Sequence, residues 1–170
     1  MKFILNVSSL ILLFLLFNVA SSQAQSNPKI DRPIQQCINK QADEMQVLKN
    51  DFSIGHWLGR LTASCEHLQA SSGKGGGKHV IAILEMESAL DDLIALSETC
   101  PKLSNEKIKG LLLQMKEIYK EKKEVESYDT DPGSGGLFED EAEVTTYSLP
   151  RASAGKLKKN AGKIRKILQK

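Results

Sequence analysis

Ser71 to His79 reads SSGKGGGKH, a glycine run between lysines. Such a run suggests a phosphate-binding loop, because glycine lets backbone N–H groups close on an anion. The full signature is G-x-x-x-x-G-K followed by Ser or Thr, on a strand-to-helix turn. Here Ser72 stands at the first glycine, His79 stands at the hydroxyl position, and a helical pattern precedes them. Nucleotide binding is not expected. Cys65, His67, His56 and His79 supply thiolate and imidazole donors suited to zinc or copper. The Cys-x-His spacing matches no structural zinc pattern, so neither a metal nor another cofactor is assigned. His56, Asp51 and several serines are residue types that a hydrolase uses, but no nucleophile elbow or paired motif frames them. The expectation is a non-enzymatic protein.

The C-terminal stretch is more informative: AGKLKKN is followed at once by AGKIRKI, a heptad written twice over residues 154–167. As a helix, Ala154, Leu157, Ala161, Ile164 and Leu168 fall at spacings of 3 and 4 and form one apolar seam. Lys156, Lys158, Lys159, Lys163, Arg165 and Lys166 fill the remaining surface, which is the pattern of a cationic amphipathic helix. Two glycines at about 1 kcal/mol each, mutual repulsion and short length make it marginal in isolation. Folding on contact with an anionic partner is the expectation. The cations, together with Leu157, Ile164 and Leu168, are therefore the candidate binding residues. Anionic membrane lipid is the favoured partner, because each basic residue near such a leaflet adds about 1 kcal/mol. An acidic protein partner is the other candidate, and docking on the protein's own helices is the structural alternative. Nucleic acid fits less well, because this segment has no aromatic to stack a base.

Charge is segregated along the chain. Residues 25–125 carry 14 Lys/Arg and 14 Asp/Glu, residues 126–150 carry 7 acids and no base, and residues 151–170 carry 8 bases and no acid. The acidic connector is itself a candidate to shield the basic end. Arg151 stands at their boundary, in Ser-Leu-Pro-Arg, where a trypsin-like protease would cut. Over about the last quarter of the chain this layout resembles that of antimicrobial peptide precursors, which implies release of Ala152 to Lys170 as a membrane-active peptide. Trp57 beside His56 raises a third role, a small-ligand site between helices.

Around these residues the chain divides into four parts. Residues 1–24, with Lys2, an apolar run from Leu10 to Phe17 and Ser22-Gln23-Ala24, read as a secretory signal peptide. Residues 25–125 read as an all-α domain, an antiparallel four-helix bundle. Its helices are expected at about Pro33 to Asn50, from a Ser53 cap to Ser71, at about His79 to Thr99, and from a Ser104 cap into the charged run after Tyr119. Residues 126–150, with several Gly and Pro and no sustained period, read as a disordered acidic linker, and residues 151–170 as the basic amphipathic helix. Three cysteines in a secreted chain leave one over. If the first two helices turn back around Asp51, Cys37 and Cys65 lie level and form the disulfide. Cys100 is then free or joins two copies as a homodimer.

Overall fold

Asn27 and Pro28 start the first helix. The Asn27 side chain accepts a hydrogen bond from the Lys29 N–H at 3.1 Å, and Pro28 occupies a position where no helical N–H is needed. In this computed structural model, which describes residues 27–49, 51–71, 77–127 and 144–170, α1 spans Pro28–Lys40 and buries Ile30, Ile34 and Ile38. It begins five residues before Pro33 and ends well short of Asn50, so Pro33 lies within the helix. The signal peptide assigned to residues 1–24 lies outside the described residues.

The chain from Gln41 to Ser53 leads to α2 (Ile54–Ala70), and none of its described residues is helical. It is fastened by carboxylates: Asp92 accepts from the Gln46, Val47 and Leu48 N–H groups, and Asp31 accepts from the Gly55 N–H at 3.2 Å. Ser53 caps α2 as expected, its hydroxyl accepting from the His56 N–H at 3.1 Å. The α2 stripe of Ile54, Trp57, Leu58, Leu61, Cys65 and Leu68 is buried. Within the glycine-rich stretch, Gly77 and Lys78 already belong to the next helix, and residues 72–76 lie outside the described residues.

The helix expected over His79 to Thr99 is two helices, α3 (Gly77–Leu84) and α4 (Ala89–Thr99), with a turn between them. In that turn the Ile83 carbonyl accepts from the Met86 N–H at 3.1 Å, and buried polar side chains add further hydrogen bonds to the turn's carbonyls. The Trp57 indole donates to the Met86 carbonyl at 3.3 Å, and the Tyr119 hydroxyl donates to the Ile83 carbonyl at 3.0 Å. Cys100-Pro101 ends α4, and Asn105 rather than Ser104 caps α5 (Glu106–Tyr119) by accepting from the Lys107 N–H at 2.9 Å.

Residues 126–150 are not one unstructured linker. β1 (Lys123–Ser127) and β2 (Val144–Ser148) pair antiparallel, with Lys123 opposite Ser148 and Ser127 opposite Val144. The part of the connector at residues 128–143 lies outside the described residues. From Arg151 to Leu168 the chain forms α6. The protein is thus mostly helical, consistent with an all-α class, with one two-stranded ribbon among the described residues.

The disulfide joins Cys37 to Cys100, with Cα atoms 5.6 Å apart, and not Cys37 to Cys65. The level pairing required a helix continuing to Asp51; because α1 stops at Lys40, no such hairpin forms. Instead α1 lies against α4, and Cys100, which caps the C-terminus of α4, completes the bond. Cys100 is therefore neither free nor a link between copies. The free thiol is Cys65, fully buried, and burial pushes it up to about 12. A neutral thiol favoured by folding contributes stability below its unfolded pKa of about 9 that is lost as pH rises toward the folded value.

Peptide mapping without reduction is expected to recover a Cys37 to Cys100 crosslink. Cys65 should react with an alkylating reagent only after denaturation. Reduction should lower stability by about 2–4 kcal/mol, because the bond closes a long loop in the unfolded chain. A Cys37 to Cys65 crosslink, or fast alkylation of native Cys65, would contradict this arrangement.

Candidate anion-binding face

The repeated heptad builds a helix that belongs to the core. Ala154, Leu157, Ala161 and Ile164 are 0% exposed and Leu168 is 2% exposed, so the whole seam faces inward. α6 runs antiparallel to α2: Arg151 donates to the Ser71 carbonyl, Gly155 lies against Gln69, and Lys158 pairs with Glu66 at 3.2 Å. It also runs antiparallel to α5, where the Asn160 side-chain amide donates to Gln114 at 3.4 Å. The apolar faces of α2 and α5 thus provide the surface that an isolated α6 would lack. Leu157, Ile164 and Leu168 hold the fold and do not point to a partner.

The cations divide accordingly. Lys156, Lys159, Lys163 and Lys166 are exposed, at spacings of 3, 4 and 3, and form one outward row. Lys158 is half-buried beside Glu66, and Arg165 is half-buried, with one terminal nitrogen enclosed and without a hydrogen-bond partner among the described residues. Lys156 is anchored at 3.0 Å from Glu121, which also accepts from the Ser153 hydroxyl. The Ser153 hydrogen bond and then Lys156 hold that carboxyl below its ordinary range. Lys159, Lys163 and Lys166 have no carboxylate within 4.0 Å among the described residues.

The row borders a groove between α5 and α6. Its upper part, about 540 Å³, lies between Leu113, Gln114 and Ile118 on one side and Lys156, Lys159 and Lys163 on the other. Its lower part, about 490 Å³, continues past Gln114 and Lys163 to Gly110, Leu111, Ile167, Lys166 and Lys107. Lys107, from the first turn of α5, is a fourth cation without a carboxylate partner among the described residues. Sequence reading missed it because only the antiparallel register of α5 and α6 brings it beside Lys166. Leu113, 44% exposed, gives the groove an apolar wall. Glu117, the acid lining this groove, pairs with Lys120 at 2.7 Å, which leaves the row electropositive.

The other candidate residues lie apart from this face. Arg151 is exposed, but it opens α6, and Ser153 and Ala154 just beyond it are buried and helical. A protease that reads an extended chain reaches that bond only through local opening. Trp57 is 7% exposed, with its N–H committed to Met86. The hollow beside it, among His56, Arg60 and Phe52, is about 250 Å³, below the usual size of a ligand pocket. His67 and His79 stack at 5.1 Å across the α2–α3 junction, while Cys65 faces the core. Partial desolvation and the neighbouring His67 push His79 below its ordinary pKa. Among the described residues no three His, Cys, Asp or Glu side chains gather into a metal site, and no helix is long and apolar enough to cross a membrane. Compared with known protein families, characterised proteins and solved structures, the chain shows no significant similarity.

Proposed function

We propose that this is a secreted, non-enzymatic binding protein that engages an anionic partner through the outward face of α6. We read its body as an antiparallel four-membered bundle of α2, the broken α3 and α4 member, α5 and α6, with α1 fastened to α4 by the disulfide. The reading rests chiefly on one observation: an exposed lysine row along a groove, with Lys159, Lys163 and Lys166 unpaired among the described residues. Surface lysines are usually interspersed with acids, and a one-sign row raises the local concentration of anions and speeds their encounter. Because the seam is already buried, the face is presented by a folded body and needs no folding on binding. The intramolecular disulfide is compatible with an oxidising compartment.

The test compares the mature chain with a Lys159→Glu, Lys163→Glu, Lys166→Glu variant. All three sites are exposed, so the fold should survive. The wild type is expected to bind phosphatidylglycerol vesicles or poly-glutamate, with affinity falling steeply as salt rises. The variant should lose that binding by at least about tenfold, since like charges now face the ligand. Absence of binding to either probe, or equal binding by the variant, would overturn the reading.

A further inference from the structure

The lysine row alone would suit any polyanion, but the groove beside it is more selective. Its floor and wall are apolar, with Leu111, Leu113, Ile118 and Ile167, and it is concave between two antiparallel helices. From Lys156 to Lys166 it runs for about 15 Å, or three helical turns. A bilayer is flat on this scale and would leave the recessed floor unfilled. A third helix is convex and would seat its side chains between those of α5 and α6.

Gly110 supports this. It lies inside α5, where glycine costs about 1 kcal/mol relative to alanine. A β-carbon built there would meet nothing within 4 Å, so no contact within the described chain requires the glycine. It lines the lower groove, where the missing side chain leaves depth for an incoming backbone or side chain.

Resting on the anion-binding reading above, we propose that the α5–α6 groove docks an acidic amphipathic helix of a protein partner. Leucine-like residues at positions i, i+3, i+4 and i+7 of the partner cover Leu111, Leu113, Ile118 and Ile167. Its acidic row faces Lys159, Lys163 and Lys166, with Lys107 at the far end. A surface three turns long is small for a protein interface, so the expected affinity is in the micromolar range. A short acidic peptide is marginally helical alone and would gain helix on binding.

The probe is a synthetic three-heptad peptide with leucine at the two apolar heptad positions and glutamate at most others. Its control has the same composition, scrambled so that no apolar seam forms. Fluorescence anisotropy on the mature chain is expected to show the amphipathic peptide binding at least about tenfold more tightly than the scramble. At Gly110 a β-carbon meets nothing within 4 Å, so Gly110→Leu should project into the groove and remove that advantage, at a melting temperature equal to or above the wild type. Leu113→Glu, at an exposed wall position, is a second variant that should do the same without relying on the glycine site. Equal binding of the two peptides would overturn the proposal and leave a charge-reading face intact. So would an advantage that survives both variants, or binding to phosphatidylglycerol vesicles with neither peptide bound. Failure of both peptides, the vesicles and poly-glutamate together would instead remove the anion-binding reading itself.

Discussion

A chain ending at Pro150 is expected to lose cooperative folding altogether. It should show no sharp thermal transition by circular dichroism and should bind a hydrophobic dye at room temperature. The truncation removes Leu157, Ile164 and Leu168 from the core, each 2% exposed or less. At about 1.5–3 kcal/mol for each buried aliphatic side chain, that loss is of order 5–9 kcal/mol, against a typical total stability of about 5–15 kcal/mol. The faces of α2 and α5 that α6 covers would be left open to water as well. A truncated protein that melts sharply within a few degrees of the full chain would show that α6 is an appendage. The consequence for function is practical. Removing α6 cannot separate the proposed partner binding from folding, and so the lysine substitutions, which leave the seam in place, are the informative variants.

The seam itself was legible in the sequence, because a spacing of 3 and 4 identifies a helix face whatever lies against it. Its destination was not. Glycines at 155 and 162 and an excess of lysine describe a helix that is weak alone, and this weakness is equally consistent with a membrane, a partner or the chain's own core. The deciding quantity was the unfilled apolar surface of α2 and α5, and helix register across long sequence separation is not written in local spacing. Element starts were read well where a side chain caps the backbone, as at Ser53. They were misread where two signals compete, as with Asn27-Pro28 against Pro33. That one boundary carried the disulfide error, since the alignment of Cys37 with Cys65 depended on a helix running on past Lys40, where it ends. The break between α3 and α4 was hidden for a related reason. Its carbonyls at Met86 and Ile83 accept from Trp57 and Tyr119, residues 29 and 36 positions away from the groups they bond.

The division of the cations carries the functional argument. Lys158 and Arg165 share the helix with Lys159 and Lys163 but are half-buried, and Lys158 is paired to Glu66 on α2. A pair of this kind, its side chains about half exposed, contributes little to stability, and the buried seam fixes the rotation of α6 about its axis. That rotation sets which lysines line the groove. Lys158 lines neither half of the groove and so serves as the control site, whereas substituting Lys163, which borders both halves, tests the proposed partner face.

Asp92→Ala is expected to cost about 2–4 kcal/mol and to loosen the N-terminal third of the fold. The carboxylate is 6% exposed and accepts from the N–H groups of Gln46 at 3.2 Å, Val47 at 2.7 Å and Leu48 at 2.9 Å. Hydrogen bonds to a charged acceptor are stronger than neutral ones, and an orphaned buried donor bears its full desolvation penalty. Water can replace the carboxylate at Gln46 and Val47, which are exposed, but Leu48 is buried. The cost therefore falls below three full penalties. Asp92→Asn, which keeps one carbonyl acceptor, should cost less, and urea denaturation of the two variants tests that order. Asp92 lies in the first turn of α4 and Cys100 at its end, so carboxylate and disulfide fasten the same N-terminal region to opposite ends of one helix. Their losses should consequently couple. In oxidised Asp92→Ala, α1 stays tethered through Cys37; in the reduced variant its amides should exchange hydrogen far faster than those of α5. Additive effects, with α1 equally protected in both states, would mean that the two fastenings act on separate parts of the fold.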